Sequence, residues 1–181
     1  METGQVFLRA QVNNCIAQHQ SLLSALREHA EHGDKPAFRA LCARHIPMME
    51  RHQLLVEEYG ATLGTHGGGA VKNALGVVLE KARDIVGSFR ESDFLDVVGD
   101  IVMIRQAQDT FATFATAGEQ LGERRLAELG RTCEKDHDTM QREFNEYVAQ
   151  VFVAQVRAEA TGPEPKESMS GVVGSAAMSG N

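Results

Sequence analysis

Tryptophan is absent from this chain of 181 residues, and two tyrosines and eight phenylalanines supply all of its aromatic area. No stretch alternates Val, Ile, Thr or Tyr with polar residues, so nothing signals a strand and an all-helical class is expected. Long apolar runs are missing as well. None approaches the roughly 20 residues that cross a bilayer. The opening METGQVFLRAQ has no basic segment ahead of an apolar core, which argues against a secretory leader. The reading is a cytoplasmic protein without a membrane partner. Positive charge is not in excess: a net charge of -7 and a pI near 5.5 make nucleic acid an unlikely partner, since sequence-independent binding needs dense Lys and Arg. Cysteine is sparse. Cys15, Cys42 and Cys133 form an odd set with no C-x-x-C, each on an apolar helical stripe, and are read as buried reduced thiols. There is no Ser-His-Asp order, no zinc-knuckle spacing and no phosphate-cradling loop. The GGG at 67–69 follows no strand and reads as a turn.

What the chain does contain is helical periodicity. A first helix, about 5–31, carries Val12, Cys15, Ile16, His19, Leu22, Leu23 and Leu26 at helical spacing and ends before Gly33. A second follows, with Asp34 as cap and Pro36 in its first turn. Its stripe is Phe38, Leu41, Cys42, His45, Met49, His52, Val56, Tyr59 and Leu63, and Pro47 predicts a kink or local break within it. A shorter segment, about 70–90, reads as a crossing helix. A third long helix, 93–121, places Val97, Ile101, Ile104, Gln108, Phe111 and Ala115 inward, with Asp100 and Asp109 to the side. The fourth, from about 123 to 158, presents Leu126, Leu129, Cys133, His137, Met140, Phe144, Tyr147, Val148 and Val151. Two helical hairpins joined by a crossing element give an antiparallel four-helix bundle of ferritin-like architecture over 1–158. Residues 159–181, rich in Gly and Ser, are expected to be a disordered tail, with a protein partner docking there as the minority reading.

Four of the seven histidines fall on inward stripes: His19, His45, His52 and His137. Counting outward from Gly33, His19 lies fourteen residues back and His45 twelve forward, which would bring them level within about 3 Å at 1.5 Å per residue. His137 follows Glu134 by three, the Glu-x-x-His spacing that lets both side chains reach one ion in a bundle core. The candidate ligand set is therefore His19, His45, His52, Glu134 and His137. The competing account is a set of half-buried imidazoles hydrogen-bonded to carbonyls and to Gln108. The third helix offers Ile104, Gln108 and Phe111 where a bridging Glu would be needed.

The segments HQSLLSALREHA, KPAFRALCARHIPMMERHQLLVEEYGATLG, ALGVVLEKARDIV and ATAGEQLG, in that order, resemble the YciE/YciF-type ferritin-like proteins over roughly residues 15–150. The resemblance implies a ferritin-like bundle, a homodimer, an association with bacterial stress responses and a carboxylate and His di-metal centre. This chain departs from that pattern. His19 falls near the first-helix Glu, Met48 or Met49 stands for the second-helix acid, and Ile104 and Ala107 stand for the third-helix acids, so Glu134 and His137 look like one retained half-site. Ligand count favours a stress-associated binding or structural module with a depleted metal site and no cofactor. The alternative is an iron or zinc protein with redox or peroxide chemistry at a His-rich core site. The sequence names no reaction.

Overall fold

The computed structural model describes residues 2–65 and 92–160, and among these there are four helices and no strand. They are α1 (Glu2–His32), α2 (Pro36–Thr62), α3 (Ser92–Leu121) and α4 (Arg124–Ala160). The expected crossing helix at 70–90 and residues 161–181 of the expected tail lie outside the described residues. Two local expectations are corrected. Lys35, with extended backbone, occupies the N-cap of α2 and makes no side-chain cap bond, so Asp34 is not the cap; Pro36 supplies a preset φ at the first turn instead. Of the kink or local break expected at Pro47, the break does not occur, since α2 continues from Pro36 to Thr62 through it.

The buried positions explain the association. On α2 they include Phe38, Cys42, His45, Met49, His52, Val56 and Tyr59, and on α3 Val97, Asp100, Ile104, Ala107, Phe111, Phe114 and Gly118. Both series alternate steps of three and four, the heptad rhythm that keeps a seam facing its neighbours in a bundle. Cross-helix contacts give the arrangement. His19 reaches Gln53, His52 reaches Asp136, and Gln108 reaches Asp138. His29 reaches Asp100. Each contact, with the others on the same pair of helices, runs antiparallel, so the helices stand in the cyclic order α1, α2, α4, α3 with α1 and α4 on one diagonal and α2 and α3 on the other. The end of α2 and the start of α3 therefore lie at opposite ends of the bundle, which is the ferritin-like arrangement with one long connection.

The α3–α4 hairpin is drawn together by small residues. A Cβ added at Gly118 would overlap the backbone of Ala127, and one at Gly130 would overlap the backbone of Ala115 and Phe111. Only glycine permits this approach. It brings the inward faces of α3 and α4 close enough for Phe111 and His137 to meet as a tilted pair in the same core layer, with ring centroids 5.1 Å apart.

Candidate functional site

That layer is built from one residue of each helix: His19 from α1, His52 from α2, Phe111 from α3 and His137 from α4. All are buried, none more than 1 % exposed. All six ring pairs among them have centroids between 5.1 and 6.4 Å apart. One ring nitrogen from each histidine lies within 4.8 Å of the other two.

The hydrogen bonds around the layer fix the proton on each ring. His137 Nδ1 is 2.7 Å from the carbonyl oxygen of Cys133, one turn back on α4. A carbonyl only accepts, so Nδ1 carries the proton. His52 Nε2 lies 3.0 Å from Asp136 Oδ2, a carboxylate that also accepts from Arg51, so Nε2 donates there. His19 Nδ1 lies 3.0 Å from Gln53 Oε1. The amide nitrogen of Gln53 is committed to two acceptors, Glu57 Oε1 at 2.6 Å and the Ile16 carbonyl at 3.5 Å, so its oxygen faces His19 and Nδ1 of His19 donates. By elimination the lone pairs sit on His19 Nε2, His52 Nδ1 and His137 Nε2. These three buried atoms have no hydrogen-bond partner among the described residues.

Burial also sets the charge. Desolvation lowers the pKa of His19 to about 4, with the neighbouring His52 adding to the effect against the Gln53 bond. Desolvation and then the nearby His19 lower His137 to about 3. His52 is lowered by desolvation too, in spite of its bond to Asp136. At neutral pH the rings are uncharged, the form that binds a metal ion. Each also holds a hydrogen bond on its non-ligating nitrogen, one to a carboxylate, one to a backbone carbonyl and one to an amide, as metal-bound histidines do.

The five candidate ligands thus divide. His19, His52 and His137 are brought together. His45 lies seven residues before His52, about 10 Å along the helix, where its Nε2 is 3.2 Å from Glu143 Oε2 and its ring packs on Phe144 at 5.9 Å. Glu134 is half-buried on α4 and does not belong to the cluster. The level assigned by counting from Gly33 is also corrected, since His19 meets His52 and Gln53, not His45. Side chains lean toward the N-terminus of their own helix. In this hairpin that carries α1 side chains away from the turn and α2 side chains toward it, so contacting residues are farther from the turn on α2. Sequence reasoning missed the residues that orient the rings: Gln53, Asp136 and the Cys133 carbonyl. Gln53 and Asp136 flank the apolar stripes, a position shared by many solvated residues.

Asp100 is a further correction. Expected to look sideways, it is 0 % exposed, with Oδ2 2.9 Å from His29 Nδ1. The signal was its place in the series Val97, Asp100, Ile104, Ala107, Phe111, where three-and-four spacing puts it on the seam. The cysteines are free and buried, as the stripes imply.

No family model matches the chain, and no curated protein matches it. Among solved structures it is similar to a two-domain protein from Anabaena variabilis that contains DJ-1/ThiJ/PfpI-like and ferritin-like domains, at 14% identity and a TM-score of 0.57. The match covers 95% of this chain and 42% of that one, so this chain spans less than half the length of its structural neighbour. No described helix is long and apolar enough to cross a membrane. With the helix order and the single long connection, the likeness makes this a ferritin-like fold.

Proposed function

We propose that this protein is a metal-binding member of the ferritin-like fold, whose mid-bundle layer holds a single divalent transition ion on His19 Nε2, His52 Nδ1 and His137 Nε2. The observation that carries the proposal is the set of three buried lone pairs with no donor among the described residues. A single water can donate only two hydrogen bonds, so it would leave one acceptor unsatisfied, and an unsatisfied buried acceptor costs on the order of 1–3 kcal/mol. A cation satisfies all three. Neutral imidazoles suit Zn(II), Co(II), Ni(II), Cu(II) or Fe(II), and three protein ligands leave a coordination position open. Bound at about 2.1 Å, three imidazole nitrogens lie roughly 3.4 Å apart, inside the 4.8 Å limit within which one nitrogen of each ring already lies. Asp136, through His52, supplies a negative charge in the outer shell. Phe111 shields one side of the layer.

The three-histidine layer contains no carboxylate, which argues against the oxo-bridged pair of the YciE/YciF type and for a mononuclear site. Membership of that family, its stress association and a homodimer remain parts of this reading that rest on the segment resemblance. A monomer mass by light scattering would remove the dimer from it.

The experiment is a titration of tag-free, metal-stripped protein with Zn(II), followed by calorimetry and thermal melting. One ion per chain that raises the melting midpoint is expected, and the H137Q variant is expected to lose that response. A wild-type midpoint that ignores Zn(II), Co(II) and Fe(II) alike overturns the proposal and leaves the structural module in its place.

A further inference from the structure

A second group of donors lies nearer the α1–α2 turn. His29 of α1, Cys42 of α2 and Asp100 of α3 each offer one ligand atom, and these atoms lie within 4.8 Å of one another. The group is displaced from the mid-bundle layer by ten residues on both α1 (His19 to His29) and α2 (His52 to Cys42), about 15 Å at helical rise. Asp100 and Cys42 are both 0 % exposed. Asp100 Oδ2 is bonded to His29, while Oδ1 is buried and has no partner among the described residues. An unpartnered carboxylate oxygen inside a core is expensive, and helical packing alone gives no reason for an aspartate at a position where the seam otherwise carries Val97, Ile104 and Ala107.

We infer that His29, Cys42 and Asp100 form a second metal site, for a borderline-soft divalent cation such as Zn(II) or Co(II). The donor set is sulfur, nitrogen and oxygen from three helices, as in mixed tetrahedral sites, and it balances charge: one thiolate and one carboxylate neutralise a dication. That balance is what a buried ion needs, and it differs from the uncharged donors of the mid-bundle layer. On binding, the Cys42 thiol gives up its proton to solvent, as does an imidazolium at His29, which ligates as the neutral ring, and Asp100 offers its unpartnered Oδ1 to the ion. The His29 side chain is 18% exposed, so a water has a path to the fourth position. This inference does not depend on the mid-bundle ion, because the two groups share no residue.

The test is Co(II) titration of the fully reduced, full-length chain, read by near-ultraviolet thiolate-to-Co(II) charge transfer, a signal that imidazole ligands cannot give. A saturable band is expected in the wild type, in H137Q and in the Cys15→Ser/Cys133→Ser double variant. It should vanish in C42S, and in H29Q the affinity should fall at least tenfold. No band in the wild type overturns the inference, as does a band that survives C42S. If C42S has lost helical content, H29Q decides at its partly exposed position: unchanged affinity there overturns the site, and a tenfold loss upholds it. Because H137Q removes the mid-bundle response alone, failure of one site is separable from failure of the other.

Discussion

The mid-bundle layer and the His29 station use the same side chain in opposite ways. His19 and His137 are surrounded by rings and apolar groups, and desolvation holds both well below the ordinary imidazole range. The bond that His29 donates to Asp100 pushes His29 up instead, outweighing the loss of water. A carboxylate alone does not decide the sign. His52 and His45 are bonded to Asp136 and Glu143, yet both are lowered, because desolvation of the rings outweighs their bonds to acids that are themselves about a third exposed. Asp100 is wholly buried, so its charge acts on His29 through low dielectric, and its own pKa is raised by desolvation. Which partner has lost its water matters more than which partner is present.

The comparison can be broken most forcefully at Phe111. Truncation to Ala should cost about 3–5 kcal/mol in urea unfolding, as for other buried phenylalanines, and should loosen the three histidines around it. His29, at the other station, should keep its raised pKa by NMR. A change at both stations would mean that they are not independent.

Acid sharpens the contrast. In metal-free protein, His19 and His137 are depressed in the fold, so the unfolded chain takes up protons first as pH falls below the ordinary value of 6.5. Their contribution is complete above 6.5 and is lost as pH falls toward about 4 for His19 and about 3 for His137. Each should give a slope on the order of 1.4 kcal/mol per pH unit in that window. Raised in the fold, His29 contributes with the opposite sign: its stabilisation is full below 6.5 and is lost as pH rises through its folded pKa. Denaturant midpoints from pH 7 to pH 4 should therefore fall less steeply in H19Q than in the wild type. Equal slopes would show that His19 titrates normally.

Asp100→Asn tests the other station. It keeps the shape and removes the charge, so His29 should drop toward or below its ordinary pKa by NMR, with a stability change of about 1–3 kcal/mol. An unmoved His29 would mean that Asp100 is not its controlling partner. The smallest effect is expected at Arg27 and Glu50, whose 2.6 Å ion pair has side chains 53% and 48% exposed. E50A should cost no more than about 1 kcal/mol by thermal melting and leave both stations unaltered, because solvent screens that pair.

Much of this was legible beforehand. The four stripes gave the helices to within a few residues, since helical period and the breaks at Gly33 and Gly122 are local properties. The inward placement of His19, His52 and His137 followed from the same period. A 3.6-residue count puts Asp100 to the side, whereas the third helix keeps heptad timing and the position of its seam depends on the helices against which it packs. Counting from the turn groups His45 with His19 because it ignores the direction in which side chains lean.

The sequence by itself determined the helical class, the buried thiols and which histidines point inward, because each depends only on spacing along one helix. Which histidines share a layer was settled by the tertiary structure alone, since level depends on how neighbouring helices slide, and Gly118 and Gly130 show their part in it only where α3 meets α4. The same holds for the lone pairs. His19 Nε2 is free because Gln53 turns its oxygen inward, and Gln53 does so because Glu57 and the Ile16 carbonyl hold its nitrogen. No pattern in one dimension carries a hydrogen bond whose direction is fixed by groups on two helices.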